Sequence, residues 1–297
     1  MENKESLDYS LETFHDLLLK SNEFVLNKFE EMHTAKAFSG VTPAQVQAWF
    51  DEPIPKKGME PLALLDFVKE KVLDTATMNI GPNMYAYVMT GGNQISILAE
   101  KLAATINQNV GKWHLAPVMS ELEKRVVQWG ADFIGYGPNV GGVMTSGGSA
   151  ANLVGLTVAR NIYFEHADIR KKGLFGMKPF MVYASDEVHG CIDKSIELLG
   201  IGMDNYRKIP THSDFTIDLE ALEEQINQDL ADGYQPFCLI GNAGTVNTGA
   251  IDPLWRMAQI AKKYKLWFHV DGAYGALAAA TETVGGLYRG IEQADSL

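Results

Sequence analysis

The sequence predicts an α/β protein built around a mostly parallel sheet, and three apolar segments carry this prediction. Residues 180–184, 237–240 and 266–270 have the length and composition of buried strands, and segments with helical spacing lie around them. Strands that alternate with helices form parallel βαβ units with right-handed crossovers. In such sheets ligands bind at the carboxyl ends of the strands. The functional side chains are therefore expected just after these three segments.

Helices are predicted before and between the strands from the spacing of apolar residues. Residues 9–37 carry this spacing over one or two helices, and a proline suits the first turn of a short helix over residues 45–50. Further helices are predicted over residues 61–77, 92–108, 120–133, 150–166, 191–199 and 253–264. We expect residues 1–80 to form an N-terminal helical segment and residues 81–297 to form a larger domain.

Composition limits the partners that this chain can bind. The net charge of −12 argues against nucleic acid and against anionic membrane surfaces. No apolar run approaches the roughly 20 residues of a membrane helix, and residues 1–10 lack the layout of a signal peptide. Cys191 and Cys238 have no metal-ligand spacing. Free buried thiols in a reducing cytoplasm are favoured for them over a disulfide, and no metal site is predicted.

A glycine-rich loop over residues 141–149 runs directly into a predicted helix. Its glycines, Gly147 and Gly148 among them, let a ligand come close to the backbone, and N–H groups at a helix N-terminus attract anions. Ser149 adds a hydroxyl at the expected N-cap. The loop lacks the Lys-Ser/Thr end of a nucleotide P-loop and misses the dinucleotide spacing. The residues leave two interpretations open, a phosphate site or a flexible turn with an ordinary serine cap.

The third strand brings His269 and Asp271 to the carboxyl edge of the sheet. Alternation places both on one face, with Val270 on the other. A carboxylate there can pair with a cationic ring nitrogen, or it can cap the following turn. Small residues follow it, including Ala273, and would let a flat ring lie against the backbone.

Two further candidates follow the other predicted strands. His189 comes after residues 180–184, where it can stack on an aromatic cofactor, act as an acid or base, or cap a helix at the surface. Thr245 lies in a small-residue loop after residues 237–240. Each signal is weak by itself, but all of them meet at one edge of the sheet.

These residues, in this order, resemble the group II pyridoxal 5′-phosphate (PLP)-dependent decarboxylases, which include the aromatic amino-acid and glutamate decarboxylases. The similar stretches are residues 142–152, 185–189, 244–252 and 269–274. The resemblance implies fold type I of PLP enzymes, with a large PLP-binding domain around a mostly parallel seven-stranded sheet that has helices on both faces.

The resemblance also implies a role for individual residues. The positions that match cofactor contacts are Gly147, Gly148, Ser149, His189, Thr245, Asp271 and Ala273. His189 and Asp271 are the implied catalytic residues: His189 stacks on one face of the pyridine ring, Ala273 packs on the other, and Asp271 pairs with the ring nitrogen. A protonated ring nitrogen makes the ring a better acceptor for the electrons released by decarboxylation.

The chain departs from the family at three places. The lysine that binds the cofactor covalently follows an Ala-Asp-Ser stretch by several residues in the family, whereas this sequence ends at Leu297. We therefore expect the 297-residue chain alone to be inactive, with that lysine and a smaller C-terminal domain beyond Leu297. Val246 stands where relatives usually carry a threonine near the cofactor. Asn109 and Gly111 stand where relatives place apolar and aromatic side chains in the substrate pocket. Tyr87 and Thr90 match positions on the wall of that pocket.

The resemblance implies decarboxylation of an L-amino acid to the amine and carbon dioxide, with an aromatic substrate ahead of an acidic one. The alternatives are a glutamate or aspartate decarboxylase, an aldehyde synthase of the same family, or a non-catalytic PLP-binding fragment. Relatives form homodimers in which N-terminal helices clasp the partner subunit. The apolar face of residues 9–37 fits that role and would equally suit packing on its own domain.

Overall fold

The computed structural model of this protein describes residues 8–297. Residues 1–7, which belong to the polar N-terminus and to the predicted N-terminal segment, lie outside the described residues. The chain divides into two compact units, the first ending at Asn107 and the second spanning Gln108–Leu297. The predicted domain boundary after residue 80 stays a prediction.

The first unit is helical, and a polar side chain caps each of its α-helices. The Ser10 hydroxyl accepts the N–H of Thr13 at the start of the first helix, and Thr42 and Gln45 form a capping box at the second. A five-residue π-helix, Lys69–Leu73, continues the third. The predicted helical segments are confirmed, and the segment over residues 9–37 contains one helix, Leu11–Glu31. The helices are α1 (Leu11–Glu31), α2 (Pro43–Phe50), α3 (Pro61–Val68) and α4 (Gln94–Ile106).

The second unit alternates helices with parallel strands. Its helices are α5 (Pro117–Phe133), α6 (Gly148–Tyr163), α7 (Ile169–Lys172), α8 (Cys191–Leu198), α9 (Leu219–Ala231) and α10 (Leu254–Tyr264). Its strands are β1 (Phe180–Ser185), β2 (Tyr206–Ile209), β3 (Gln235–Asn242) and β4 (Trp267–Asp271). The three predicted strands are β1, β3 and β4, whereas β2, α7 and α9 were not predicted.

The sheet has the order β2-β1-β3-β4, and all of its strand pairs are parallel. The predicted α/β class is confirmed. The resemblance implies seven strands, whereas the described residues 8–297 form four. A strand is formed only where a neighbouring strand supplies backbone partners. Ser296 adds one isolated parallel bridge to His269 at the free side of β4.

Helices cover both faces of the sheet because successive strand residues point to opposite sides. On one face, Phe268 and Val270 pack with α9 and α10. On the other face, Val182 and Ile240 pack with α6 and α8. Parallel sheets need this double cover, and the central strands β1 and β3 are mostly apolar and buried for that reason.

The order of the strands also marks where a ligand should bind. From β1 the chain passes to β2 on one side, and it returns to form β3 on the other side. Strands β1 and β3 therefore flank the point at which the winding reverses. Ligands of open α/β sheets occupy the crevice outside the carboxyl ends at such a point.

The buried Asp252 stabilises the carboxyl end of β3, and that end is in turn hydrogen-bonded to the end of β1. Asp252 is fully buried, and its Oδ2 accepts the backbone N–H and the side-chain amide of Asn242, each at 2.8 Å. Its Oδ1 accepts the N–H of Ile217 at 2.9 Å. Asn242 also donates to the Ser185 hydroxyl at the end of β1, at 3.1 Å. Burial raises the pKa of Asp252, and these hydrogen bonds oppose that rise.

We expect Asp252→Ala to lower the free energy of unfolding by about 3 kcal/mol, because three buried donors lose their acceptor. Urea unfolding followed by tryptophan fluorescence measures the change. Asp204→Ala, which removes an exposed carboxylate before β2, is the control. Equal stability of the two variants would contradict the bracing role.

Candidate active site

Asp271 is the last residue of β4 and lies almost buried at the carboxyl edge of the sheet, with 8% of its surface exposed. Its Oδ2 accepts the side-chain amide of Asn152 at 3.0 Å. Its Oδ1 accepts the N–H of Ala273 at 3.1 Å, so the carboxylate does cap the following turn. The turn-capping interpretation is therefore correct, and it does not exclude a ligand, since each carboxylate oxygen has two lone pairs.

Asn152 lies in the second turn of α6. It connects Asp271 to two further side chains, those of Cys191 and His269. Besides the bond to Asp271, its amide nitrogen lies 3.3 Å from the Cys191 sulfur. Its carbonyl oxygen lies 2.9 Å from Nε2 of His269. The side chain is buried, and every hydrogen-bonding group on it has a partner.

His269 is buried two residues before Asp271, the last residue of β4. Its Nδ1 lies 2.8 Å from the Ser296 hydroxyl, and only 1% of its surface is exposed. Burial lowers the pKa of His269 to about 4, although the nearby Asp271 raises it. The ring is therefore a neutral imidazole at neutral pH. The prediction that His269 and Asp271 share a face is confirmed, since Asn152 contacts both.

The glycine-rich loop places the N-terminus of α6 beside the turn that follows Asp271. Gly147 is the N-cap residue, with φ of +156°, a conformation that favours glycine. The expectation that Ser149 is the N-cap is wrong, because Ser149 already lies in the first helical turn, where it is exposed. A side chain on Gly148 would meet the Ala273 methyl at 2.9 Å. The N–H groups of the first turn have no side-chain cap.

His189 stands on the same edge, after β1. It is exposed, and its Nδ1 accepts the N–H of Cys191 at 3.1 Å. This bond caps the start of α8, which was one of the open interpretations. It also links His189 through Cys191 and Asn152 to Asp271, so the structure brings the two predicted catalytic residues into one cluster.

The loop after β3 is closed by Thr245. This residue is buried, and its hydroxyl lies 2.7 Å from the Thr248 hydroxyl and accepts the N–H of Ala250 at 3.2 Å. The loop touches the turn after β4, since a side chain on Gly244 would meet the Gly275 Cα at 3.2 Å. A cofactor contact of Thr245 stays a prediction.

The four predicted substrate-pocket residues lie in segments without regular structure. Tyr87 and Thr90 belong to the first unit and are exposed, and Tyr87 has a positive φ of 65°. Asn109 and Gly111 belong to the second unit and are also exposed, with the Asn109 side chain accepting the N–H of Gly111 at 2.9 Å. Their assignment to a substrate pocket stays a prediction.

Sequence reasoning missed Asn152 and Ser296 as members of the cluster. Asn152 follows Gly148 by one helical turn, so helical spacing places it on the face of α6 that carries Gly148. That spacing was a usable signal. Nothing local identified Ser296, which reaches His269 only through the bridge beside β4.

Comparison with known proteins identifies the family. Residues 43–297 match the conserved domain described as the pyridoxal-dependent decarboxylase domain. The chain belongs to this decarboxylase family.

Individual relatives agree with the family assignment. An aromatic-L-amino-acid decarboxylase of Bacillus atrophaeus is 30% identical over 293 residues, which cover 99% of this chain and 59% of the relative. A phenylacetaldehyde synthase of Arabidopsis thaliana is 30% identical over 283 residues, which cover 92% and 56% of the two chains. The chain thus spans a little over half the length of these decarboxylase-family relatives.

Solved structures of the family share the fold. The glutamate decarboxylase domain of a diaminobutyrate-pyruvate transaminase and L-2,4-diaminobutyrate decarboxylase from Vibrio parahaemolyticus superposes with a TM-score of 0.87 at 29% identity. The alignment covers 95% of this chain and 62% of that chain. The family resemblance drawn from the sequence is confirmed.

The residues present fit pyridoxal phosphate, on which this decarboxylase family depends. The uncapped N–H groups at the start of α6 suit a phosphate. Gly148 leaves no space for a side chain against Ala273, as expected where a flat ring lies close to the backbone. Asp271 supplies a buried, oriented carboxylate for a ring nitrogen.

The described residues 8–297 give no support for a metal ligand or a membrane span. Within this part, no three or more His, Cys, Asp or Glu side chains are grouped so that they could hold a metal ion. Over the same residues, every helix is too short or too polar to cross a bilayer.

Acidification from pH 6.5 to pH 4 is expected to destabilise the protein through His269. The unfolded imidazole takes up a proton near pH 6.5, whereas burial lowers the pKa in the folded state to about 4. Between these values the unfolded state binds more protons, so stability falls as pH falls. The loss is about 3 kcal/mol, at about 1.4 kcal/mol per pKa unit. Urea unfolding across this pH range, in the wild type and in His269→Gln, measures it.

The His114→Gln variant is the control for this experiment. It removes an exposed imidazole and keeps His269, so its stability should depend on pH as in the wild type. If His269→Gln kept the wild-type dependence as well, His269 would not be the group responsible.

Proposed function

We propose that the complete protein containing this chain decarboxylates an L-amino acid with pyridoxal phosphate, releasing the amine and carbon dioxide. The observation that carries the proposal is the buried Asp271 carboxylate at the end of β4, held by Asn152 beside the uncapped N-terminus of α6. Membership of the decarboxylase family supports it.

Different groups of this chain bind different parts of the cofactor. The N–H groups at the start of α6, with Gly147, Gly148 and Ser149, hold the phosphate. Asp271 keeps a proton on the ring nitrogen, because a buried carboxylate favours a cation beside it. When bound, the cofactor supplies a ring that accepts the electrons of the breaking bond to the carboxylate carbon.

His189 and Ala273 define the space for the ring. Both are exposed at the carboxyl edge, whereas Asp271 lies below them. In the proposal the imidazole stacks on one face of the ring and the Ala273 methyl packs on the other. Cys191 holds the imidazole by donating its N–H to Nδ1, which leaves Nε2 to carry the proton of the neutral ring.

The substrate that we propose is an aromatic amino acid. The support is the aromatic-L-amino-acid decarboxylase of Bacillus atrophaeus, with which nearly the whole chain aligns. The polar Asn109 and the small Gly111, if they line the pocket, would make it roomier and would also admit an acidic or diamino substrate. The Vibrio parahaemolyticus structure is a relative with such a substrate in its name.

Aldehyde synthase activity is the second candidate, because the Arabidopsis thaliana relative carries that name at the same identity. A panel of aromatic, acidic and diamino acids, assayed for carbon dioxide, amine and aldehyde, separates the candidates. Amine as the product supports the decarboxylase, and aldehyde supports the synthase. Failure to bind pyridoxal phosphate at all would overturn both.

We expect Asp271→Asn to reduce kcat by about 10²-fold or more, because the ring nitrogen loses its anionic partner while the shape of the side chain is kept. Carbon dioxide release from the complete protein measures the effect. Asp204→Asn makes the same change at an exposed position before β2 and should leave kcat unchanged. Wild-type turnover by Asp271→Asn would rule out the assigned role.

We further propose that the complete protein is a homodimer. The first unit exposes large apolar side chains on two helices, where burial against a partner would remove them from water. Those on α1 include Leu11, Leu19 and Leu26, and those on α4 are Ile95, Leu98, Leu102 and Ile106. Sedimentation velocity is expected to show one species of twice the chain mass. A monomer at micromolar concentration would contradict the proposal.

A cytoplasmic location is also proposed. Cys191 and Cys238 are both buried and free, as predicted from the sequence. Free thiols are the usual state in a reducing compartment. Cell fractionation with an antibody against the protein tests the location, and recovery outside the cytoplasm would contradict it.

A further inference from the structure

A chain of four hydrogen bonds joins Trp267 to Asp271, and its two ends, an indole N–H that can only donate and a carboxylate that accepts, fit a single direction along it. The indole Nε1–H can only donate, and it lies 2.8 Å from the Ser296 hydroxyl oxygen. The Ser296 hydroxyl therefore accepts from Trp267 and has its own proton free. Nδ1 of His269 lies 2.8 Å from this hydroxyl and accepts its proton when the imidazole carries its own proton on Nε2.

The same direction continues through the imidazole. The Asp271 carboxylate accepts from the Asn152 amide nitrogen, so the Asn152 carbonyl oxygen faces Nε2 of His269 at 2.9 Å and accepts its proton. The Asn152 amide nitrogen then faces Asp271 Oδ2 at 3.0 Å and the Cys191 sulfur at 3.3 Å. The opposite orientation of the amide would place its oxygen against the carboxylate. An imidazole with its proton on Nε2 thus stabilises the orientation in which Asn152 donates to Asp271.

The part of the chain from His269 to Asp271 is shielded from water, so its bonds are costly to break. His269 and Asn152 are 1% and 4% exposed, and a buried polar group that loses its partner regains no bond to water. The lowered pKa of His269, about 4, agrees with a neutral ring that can donate from one nitrogen and accept at the other.

Packing fixes the imidazole as well. A side chain on Gly155 of α6 would come within 2.9 Å of Cε1 and 3.3 Å of Nδ1 of His269. The ring therefore lies against the helix backbone at a position where the helix carries no side chain. This contact holds the ring at a fixed distance from Asn152, one turn earlier on the same helix.

We propose that Asn152 and His269 are positioning residues that fix the Asp271 carboxylate in the orientation required by the ring nitrogen of pyridoxal phosphate. Ser296 supports the proton position of His269 by donating to Nδ1 from the far end of the chain. The inference rests on the proposed function, since it assigns these residues to the cofactor that Asp271 binds. Neither residue contacts the cofactor itself in this account.

The first test follows the chain of hydrogen bonds in three variants of the complete protein. Asn152→Leu removes the donor to Asp271, and Ser296→Ala removes the donor to His269. We expect the dissociation constant of pyridoxal phosphate, measured by fluorescence titration, to rise about tenfold to a hundredfold in Asn152→Leu and by less in Ser296→Ala. Ser296→Thr keeps the hydroxyl and should restore wild-type binding.

Two spectroscopic signals separate orientation from general loss of structure. With ¹⁵N-labelled pyridoxal phosphate, the ring-nitrogen shift should report a protonated nitrogen in the wild type and a loss of protonation in Asn152→Leu. In the protein without cofactor, ¹⁵N histidine spectra should show His269 with its proton on Nε2, identified by the signal that His269→Gln removes. A proton on Nδ1 would overturn the proposal.

A glycine pair tests the chain without removing a polar group. Gly155→Ala displaces the His269 ring, whereas Gly130→Ala adds the same methyl to α5, where no atom lies within 4 Å of it. We expect weaker cofactor binding and an altered ring-nitrogen shift only in Gly155→Ala. If Asn152→Leu fails to fold, this pair and Ser296→Ala still decide the question.

The outcomes distinguish this inference from the proposed function. If the wild type binds no pyridoxal phosphate, the proposed function fails. If the wild type binds it and the Ser296→Ala and Gly155→Ala variants keep wild-type affinity and ring-nitrogen shift, only the positioning role is overturned.

Discussion

The hydrogen bond from Asn152 to Asp271 is the interaction on which the candidate site depends. It joins the end of β4 to the helix that begins with the glycine-rich loop. Without this bond, the Asp271 carboxylate would not be held at a fixed position relative to the N-terminus of α6. With it, an anion and an anion-binding helix end stand at fixed positions, as a cofactor with a cationic ring nitrogen and a phosphate requires.

The remainder of the fold keeps that arrangement rigid. The parallel strands bring the ends of β1, β3 and β4 to one edge, and the buried Asp252 and Asn242 bind the first two of these ends together. Close contact between Gly244 and Gly275 connects the loops after β3 and β4. Buried hydrogen bonds and close backbone contacts therefore hold the loops that form the site. This preorganises the groups that face the ligand.

Much of this could be predicted from the sequence where a local rule applied. The two-residue period of a strand placed His269 and Asp271 on one face, and βαβ alternation predicted the parallel sheet. Strand β2 escaped prediction because Arg207 and Lys208 make half of its four residues charged. The N-cap was misplaced at Ser149, since the positive φ of Gly147 is a backbone property that residue type alone does not reveal. The partners of Asn152 depend on how α6 packs on the sheet, which no local pattern contains.

The central claim is that Asp271 receives the ring nitrogen of pyridoxal phosphate above a preformed hydrogen-bond chain. A crystal structure of the complete protein with the cofactor tests it most directly. We expect the ring nitrogen within hydrogen-bond distance of an Asp271 oxygen, the phosphate at the N-terminus of α6, and Asn152 still bonded to Oδ2. A ring nitrogen directed away from Asp271, or a phosphate bound at another element, would contradict it.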